Sequence, residues 1–231
     1  MKILLVIPSV FEAAPLFKAV RAKPALGGVL DISENLRVLI SGIGCEASRE
    51  RLDGQLRDFA PNAVVLLGYA GACSGAFKNG DFLFDSDDPR VSELLGGFGF
   101  PKAKIAFSKN VADAKQKREF LDAGFAAVEM ESGWFLSAVR AANASFTHVR
   151  CISDAANASV PPAILEASMD RRTGGIAPAR MIFSRVFLKN PLAIFSLVKF
   201  GIEIVPVQKK YAKSIVELAD ALAELAGNDA R

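Results

Sequence analysis

Short apolar runs rich in β-branched residues alternate with helical patterns along most of this chain. The run Val64-Val65-Leu66-Leu67 is continuously apolar, which is typical of a strand buried on both faces. Strands that alternate with helices form a mostly parallel sheet with helices on its faces. The sequence therefore predicts an α/β fold, a three-layer α/β/α sandwich around a central mixed, mostly parallel sheet, in one domain over residues 1–231.

The predicted strands are short, apolar and bounded by turn residues. They cover residues 2–7, 36–40, 63–67, 82–84, 104–107, 127–130 and 147–152. Helical spacing with a polar face predicts helices over residues 46–59, 112–121 and 132–142. The apolar start ends at Pro8 and predicts a buried strand rather than a signal peptide.

The composition of the chain argues against two kinds of function, nucleic-acid binding and zinc binding by several histidines. The 28 Lys and Arg residues nearly balance the 25 Asp and Glu residues, so the charge does not favour a nucleic-acid partner. A single histidine, His148, excludes a zinc site built from several histidines. Three separated cysteines, Cys45, Cys73 and Cys151, are typical of reduced thiols. We therefore expect a cytoplasmic protein.

The segment over residues 180–213 is both basic and apolar. Seven basic residues and one acid, Glu203, give it a charge of +6. The basic residues are Arg180, Arg185, Lys189, Lys199, Lys209, Lys210 and Lys213. Two interpretations remain open: a pair of amphipathic helices packed on the core, or a surface for a membrane or an apolar substrate. Lys199 and Glu203 interrupt its apolar stretch, so a membrane-spanning helix is not expected. A further helix is predicted over residues 214–226.

Two glycine-containing segments follow predicted strands. Ser41-Gly42-Ile43-Gly44 precedes a helix but lacks the third glycine of the dinucleotide-binding pattern, so it does not support NAD binding. Gly68-Tyr69-Ala70-Gly71-Ala72 is predicted to be a loop after the strand at 63–67. Each segment is either a tight connection or a ligand-binding turn at the carboxyl edge of the sheet.

Acidic residues stand where three predicted strands end: Glu12, the pair Glu129 and Glu131, and Asp154. Such acids are often helix N-caps or acids favoured by the helix dipole. A carboxylate can also accept hydrogen bonds from sugar hydroxyls, and a buried carboxyl can act as a general acid. Three such positions predict converging carboxylates.

Four motifs taken together resemble the purine nucleoside phosphorylase and nucleosidase superfamily. They are Gly42-Ile43-Gly44, Phe77-Lys78-Asn79-Gly80-Asp81, Val128-Glu129-Met130-Glu131 and Ile152-Ser153-Asp154. Residues 1–157 resemble its methylthioadenosine/adenosylhomocysteine nucleosidase branch. The C-terminal part, with Pro161-Pro162, Asp170-Arg171-Arg172 and Asn190-Pro191-Leu192, resembles the hopanoid-associated members.

The resemblance implies a role for each matched residue. Glu12 would activate water, and Asp154, supported by Ser153, would protonate the purine. The remaining matches would bind the nucleoside: Gly71 lines the ribose and base pocket, Val111 borders the base, and Met130 and Glu131 pack and hydrogen-bond the sugar. The resemblance implies no metal, no cofactor and a homodimer.

The activity implied is hydrolysis of the N-glycosidic bond of a 5′-modified adenosine, releasing adenine. The hopanoid-associated members point to adenosylhopane, a lipid-linked nucleoside, and to peripheral membrane contact. Alternatives are a phosphate-dependent phosphorylase, a methylthioadenosine/adenosylhomocysteine nucleosidase that does not contact membranes, and a non-catalytic nucleoside-binding protein.

Two departures from the family pattern bear on these alternatives. Tyr69 replaces a small Ser or Thr, which affects a sugar or anion contact. No arginine is expected near Glu12. Arg150 is the remaining candidate cation, but its place on a predicted strand favours a structural ion pair. Because phosphate binding needs cations, hydrolysis is favoured over phosphorolysis.

Overall fold

The computed structural model describes residues 1–158, 168–170, 172–177, 181–182, 184 and 193–228. The strands in these ranges are β1 (Ile3–Ile7), β2 (Val29–Asp31), β3 (Leu36–Ile40), β4 (Ala63–Ala72), β5 (Phe82–Ser86), β6 (Ile105–Phe107), β7 (Ala127–Glu129), β8 (Ser145–Asp154), β9 (Met169–Asp170) and β10 (Gly175–Ile176). The helices are α1 (Val10–Ala19), α2 (Glu46–Phe59), α3 (Pro89–Gly97), α4 (Ala114–Asp122), α5 (Ser132–Ala141) and α6 (Ala193–Asn228).

Eight strands form the central sheet, and β9 pairs with β10 separately. The main path of the sheet runs β2-β3-β1-β4-β7-β6, and β8 pairs with both β4 and β5. The pairs β1–β3, β1–β4, β4–β8 and β6–β7 are parallel, whereas β2–β3, β4–β7 and β5–β8 are antiparallel. The predicted mixed, mostly parallel sheet is confirmed.

Successive side chains of the central strands point to opposite faces of the sheet, and both faces are covered. Ile3, Leu5 and Ile7 pack with residues of α1, α3 and α6. Leu4 and Val6, on the opposite face, pack with residues of α2 and α5. These two apolar clusters cover both faces of central strands such as β1, which produces the predicted three layers.

Strand β4 departs from the prediction. The loop expected at 68–72 is wrong, since the strand continues to Ala72 and stays paired with β8 as far as Gly71. On its other edge β4 pairs with β1 at Ala63–Leu66 and then with β7 at Gly71–Ala72. Between Leu66 and Gly71 this edge of β4 pairs with neither strand. It faces the end of β1 and the start of α1, and a crevice lies there.

The C-terminal part also departs from the prediction of separate helices. Residues 193–228 form one helix that continues through Pro206. Its buried residues recur at helical spacing and include Val207, Tyr211, Ile215, Leu218 and Leu222. This continuous stripe packs on the core, and its burial outweighs the helix-breaking tendency of proline. Arg180, Arg185 and Lys189 lie outside the described residues.

Within the described ranges, no helix combines the length and the apolar character needed to cross a membrane.

Candidate active site

One cavity of about 460 Å³ opens at the carboxyl ends of β1, β4 and β8 and at the end of β7. All seven residues predicted to form the site line it: Glu12, Gly71, Val111, Met130, Glu131, Ser153 and Asp154. The chain thus brings together residues from α1, β4, β8 and the segments before α4 and α5. The individual roles assigned to these residues stay predictions.

Glu12 reaches the cavity from the first turn of α1. Ser9 caps this helix by accepting a hydrogen bond from the backbone N–H of Glu12 at 3.2 Å, and its hydroxyl donates to Glu12 Oε2 at 2.5 Å. The backbone N–H of Tyr69 donates to Glu12 Oε1 at 2.9 Å. Burial raises the pKa of Glu12, and these hydrogen bonds and the charge of Arg150 offset only part of that effect.

Arg150 lies at the centre of a buried cluster of charges. Its Nη2 donates to Glu129 Oε2 and, at 3.1 Å, to Glu131 Oε2. The structural ion pair expected for Arg150 is therefore present. The expectation that no arginine lies near Glu12 was wrong, because β8 carries Arg150 to this point from a distant part of the sequence.

Gly68 allows Glu12 and Arg150 to approach each other. A Cβ atom at this position would lie 2.6 Å from Arg150 Nη1 and 2.8 Å from Glu12 Oε1. Atoms at such distances overlap, so a side chain at residue 68 would displace one or both charged groups. The glycine in this strand marks a close approach of functional groups rather than a turn.

Glu129 and Glu131 have different roles despite their proximity. Glu129 accepts hydrogen bonds from the backbone N–H groups of Glu131 at 3.0 Å and Ser132 at 3.1 Å, so it caps the start of α5. Burial acts to raise the pKa of Glu129, but the charge of Arg150 and these hydrogen bonds contribute to a net lowering. For Glu131, burial dominates and raises its pKa to about 8. The helix-capping interpretation applies to Glu129, and Glu131 faces the cavity.

Asp154 sits at the end of β8 with both carboxylate oxygens in contact with donors. The Ser153 hydroxyl donates to Asp154 Oδ1 at 2.7 Å, and Lys117 Nζ donates to Asp154 Oδ2. Lys117 comes from α4, lines the cavity and is almost fully buried. Sequence reasoning missed it, because it lies in the polar stretch Ala114–Asp122 with other charged residues on either side.

Apolar side chains, here called the apolar rim, form part of the cavity lining. Ile43, Met169, Ile176, Ile182 and Ile204 line it, and Phe11 joins them from α1. On α6, which contributes Ile204 to the cavity, Ile202 is 70% exposed and Val205 is 46% exposed. Two lysines of α6 form ion pairs with acids: Lys210 with Asp81 at 3.5 Å and Lys213 with Glu217 at 3.8 Å.

Tyr69 lines the cavity but packs its ring into the core. The ring lies 4.7 Å from that of Tyr211 on α6, measured between centroids. Burial raises the pKa of Tyr69, so the phenol stays neutral. The departure from a small residue at this position therefore attaches β4 to α6.

In the part of the chain that the structure describes, no group of three or more His, Cys, Asp or Glu residues is arranged to hold a metal ion.

Comparisons of this chain with known proteins find likeness in structure alone. No protein-family model and no curated protein matches it. It superposes on the Helicobacter pylori 5′-methylthioadenosine/S-adenosyl homocysteine nucleosidase with a TM-score of 0.64 and 17% identity, over 95% of this chain and 98% of that chain. The corresponding Streptococcus pneumoniae nucleosidase gives 0.61 and 16%, over 96% and 100%. Futalosine hydrolase of Helicobacter pylori gives 0.54 and 20%, over 67% and 88%. The chain therefore has the nucleoside phosphorylase-like fold.

Proposed function

We propose that this protein hydrolyses the N-glycosidic bond of a 5′-modified adenosine and releases adenine. The observation that carries the proposal is the convergence of Glu12, Glu131 and Asp154 around one cavity. The structural relatives named as nucleosidases and as futalosine hydrolase support the same reaction class.

The reaction needs a general acid that protonates the leaving purine and a second group that orients the attacking water. As the bond between sugar C1′ and the purine breaks, its electron pair goes to the base, and Asp154 supplies the proton that neutralises it. Water adds at C1′ and gives up a proton to Glu12, whose buried carboxyl has a raised pKa and so an enhanced basicity. Each such proton transfer is worth about 10²–10⁴-fold in rate, or about 3–5 kcal/mol of barrier.

Glu131 and Met130 would hold the sugar. The Glu131 carboxyl lies beside Arg150 and faces the cavity, where it can hydrogen-bond ribose hydroxyls. Because Arg150 fixes one of its oxygens, the other is held in a defined direction. Such preorganised hydrogen bonds strengthen as positive charge develops on the sugar.

The charge of the site favours hydrolysis over phosphorolysis. Arg150 is the guanidinium of this cluster, and it faces the carboxyls of Glu12, Glu129 and Glu131. Its charge is already paired with the Glu129 carboxylate, so it offers a phosphate dianion less attraction than a free guanidinium would. Water needs no such attraction.

The apolar rim favours a substrate whose 5′ group is apolar. Phe11, Ile182 and Ile204 line the cavity, and Ile202 and Val205, on the same helix as Ile204, are exposed. A lipid-linked nucleoside such as adenosylhopane would bury such a surface, and contact with a membrane at this rim follows from the same exposure. Two further parts of the proposal are a cytoplasmic location, which rests on the three separated cysteines, and a homodimer, which rests on the family resemblance.

The test is chromatographic detection of free base from a panel of 5′-substituted adenosines. The panel includes methylthioadenosine, adenosylhomocysteine and a lipid-bearing adenosine, each with and without phosphate. We expect adenine without phosphate and the highest kcat/KM for an apolar 5′ group. Release only with phosphate would identify a phosphorylase, and binding without release would identify a nucleoside-binding protein.

A further inference from the structure

A buried lysine contacts the acid proposed to protonate the base. Lys117 is 1% exposed, and its Nζ donates to Asp154 Oδ2, to the carbonyl of Ala155 at 2.9 Å and to the carbonyl of Ala158 at 2.7 Å. An ammonium has three donors, and all three have acceptors here. Lysine is almost never this buried unless it is paired, so the site is built around the charge.

Two local features place Lys117 at this point. Asp113 and Gln116 form reciprocal hydrogen bonds of 2.8 and 3.0 Å that fix the first turn of α4, and Lys117 directly follows Gln116. Gly71 leaves the space that the pair occupies: a Cβ there would lie 2.8 Å from Lys117 Cε and 3.1 Å from Asp154 Oδ2. Gly71 therefore makes room for this pair as Gly68 does for Glu12 and Arg150.

Asp154 is the one anion that the described residues place in contact with Lys117. The neighbouring thiol of Cys73 is neutral, because burial raises its pKa to about 11. A buried ion pair often stabilises a fold no better than apolar residues of the same volume would. Its presence on the wall of the cavity therefore points to chemistry.

We propose that Lys117 is a positioning residue for protonation of the leaving base: it holds Asp154 by Oδ2 and stabilises the carboxylate that remains after proton transfer. The inference rests on the proposed function. Asp154 first takes up a proton from solvent; when the sugar–purine bond breaks, its electron pair goes to the base and this proton moves from Asp154 to a base nitrogen. Asp154 is then an anion beside the Lys117 ammonium, which lowers the free energy of this state relative to the reactants.

The test uses two leaving groups and four proteins. One substrate is a cleavable adenosine, whose base needs a proton, and the other is p-nitrophenyl riboside, whose phenolate leaves without one. The proteins are the wild type, Lys117→Met, Lys117→Gln and Lys115→Met. Lys115 is an exposed residue of the same helix that pairs only weakly with Glu119 at 3.9 Å, so its variant is the matched control.

We expect Lys117→Met to lower kcat for the adenosine by about 10²-fold, with KM nearly unchanged, and to leave the nitrophenyl substrate close to wild type. A loss in kcat alone indicates an interaction made in the transition state. Lys117→Gln keeps donors for the carbonyls of Ala155 and Ala158 without the charge, and should show the same selectivity. Lys115→Met should match the wild type on both substrates.

Equal losses on both substrates, or none on either, would overturn the inference, as would failure of both Lys117 variants to fold. These outcomes are separate from failure of the proposed function, in which the wild-type protein itself releases no base from any adenosine.

Discussion

The carboxylate of Glu12 accepts a hydrogen bond of 2.9 Å from the backbone N–H of Tyr69. This contact joins α1 to β4 where β4 passes from β1 to β7. Because the donor is a backbone group, the hydrogen bond holds the Glu12 carboxyl in one orientation whether or not a substrate is bound. The proposed water-activating group is therefore preorganised, and so is its geometry relative to Asp154 across the cavity.

We expect Glu12→Gln and Asp154→Asn each to lower turnover by about 10²–10⁴-fold, because each removes one proton-transfer group. Both substitutions conserve shape, so circular dichroism and thermal unfolding should show folded proteins. Glu46→Gln, which changes an exposed acid in the first turn of α2, is the matched control and should keep wild-type turnover. Wild-type rates in either site variant would contradict the assigned roles.

Gly68→Ala tests the close approach of Glu12 and Arg150. The new methyl group would lie 2.6 Å from Arg150 Nη1, so we expect a loss of turnover and a loss of about 1–3 kcal/mol in the free energy of unfolding. Gly75→Ala is the control, because a Cβ there meets nothing within 4 Å. Urea unfolding and base release measure the two effects. An unchanged Gly68→Ala protein would show that the cluster tolerates displacement.

Glu131→Gln tests the raised pKa of Glu131 through stability. Its pKa is about 8 in the folded protein and near 4.5 when unfolded, so between these values the folded state binds more protons. Stability from this group therefore falls as pH rises from about 4.5 to 8 and is constant above that range. Glutamine does not titrate, so the variant should gain stability relative to wild type across this interval. Thermal unfolding at pH 4.5, 6, 8 and 9 measures the difference, and a pH-independent difference would contradict the assignment.

The apolar rim and the basic segment over residues 180–213 together predict binding to membranes that contain anionic lipids. We expect the wild type to sediment with anionic vesicles at low salt and less at high salt, since basic residues and apolar exposure act together. Ile202→Asp and Val205→Asp should abolish sedimentation, because both are exposed apolar side chains on the helix that carries Ile204 to the cavity. Val29→Asp, at an exposed apolar position on β2, is the control. A wild-type protein that stays in the supernatant at low salt would favour helices packed only on the core.

Much of the fold could be predicted from the local pattern of the chain. Strand β3 and helix α2 match their predicted bounds, because the spacing of their apolar residues is regular from end to end. Helices α1 and α3 and strand β2 were missed. The convergence of Glu12 and Asp154 could be predicted, since the parallel strands β1 and β8 end at the same edge. Glu131 joins them from the end of β7, which is antiparallel to β4, so that rule does not account for it.

The remaining features depend on contacts between distant parts of the sequence. Lys117 lies in a helix with charged neighbours, and only its burial and its contacts with distant residues such as Asp154 distinguish it from Lys115. Arg150 reaches Glu131 through the pairing of β8 with β4, which no local pattern indicates. The continuity of α6 through Pro206 depends on the core it covers, and a local rule for proline predicts the opposite.

The packing of α1 against α6 has a consequence for how the protein is made. Glu12 belongs to a helix near the start of the chain, whereas Tyr211, which packs against Tyr69, comes from the last described helix. During synthesis the apolar surfaces of β1 and α1 leave the ribosome long before their covering helix. Such distant pairing slows folding and leaves apolar surface exposed to aggregation in the meantime. Competence for catalysis should therefore arise late in folding, when α6 docks.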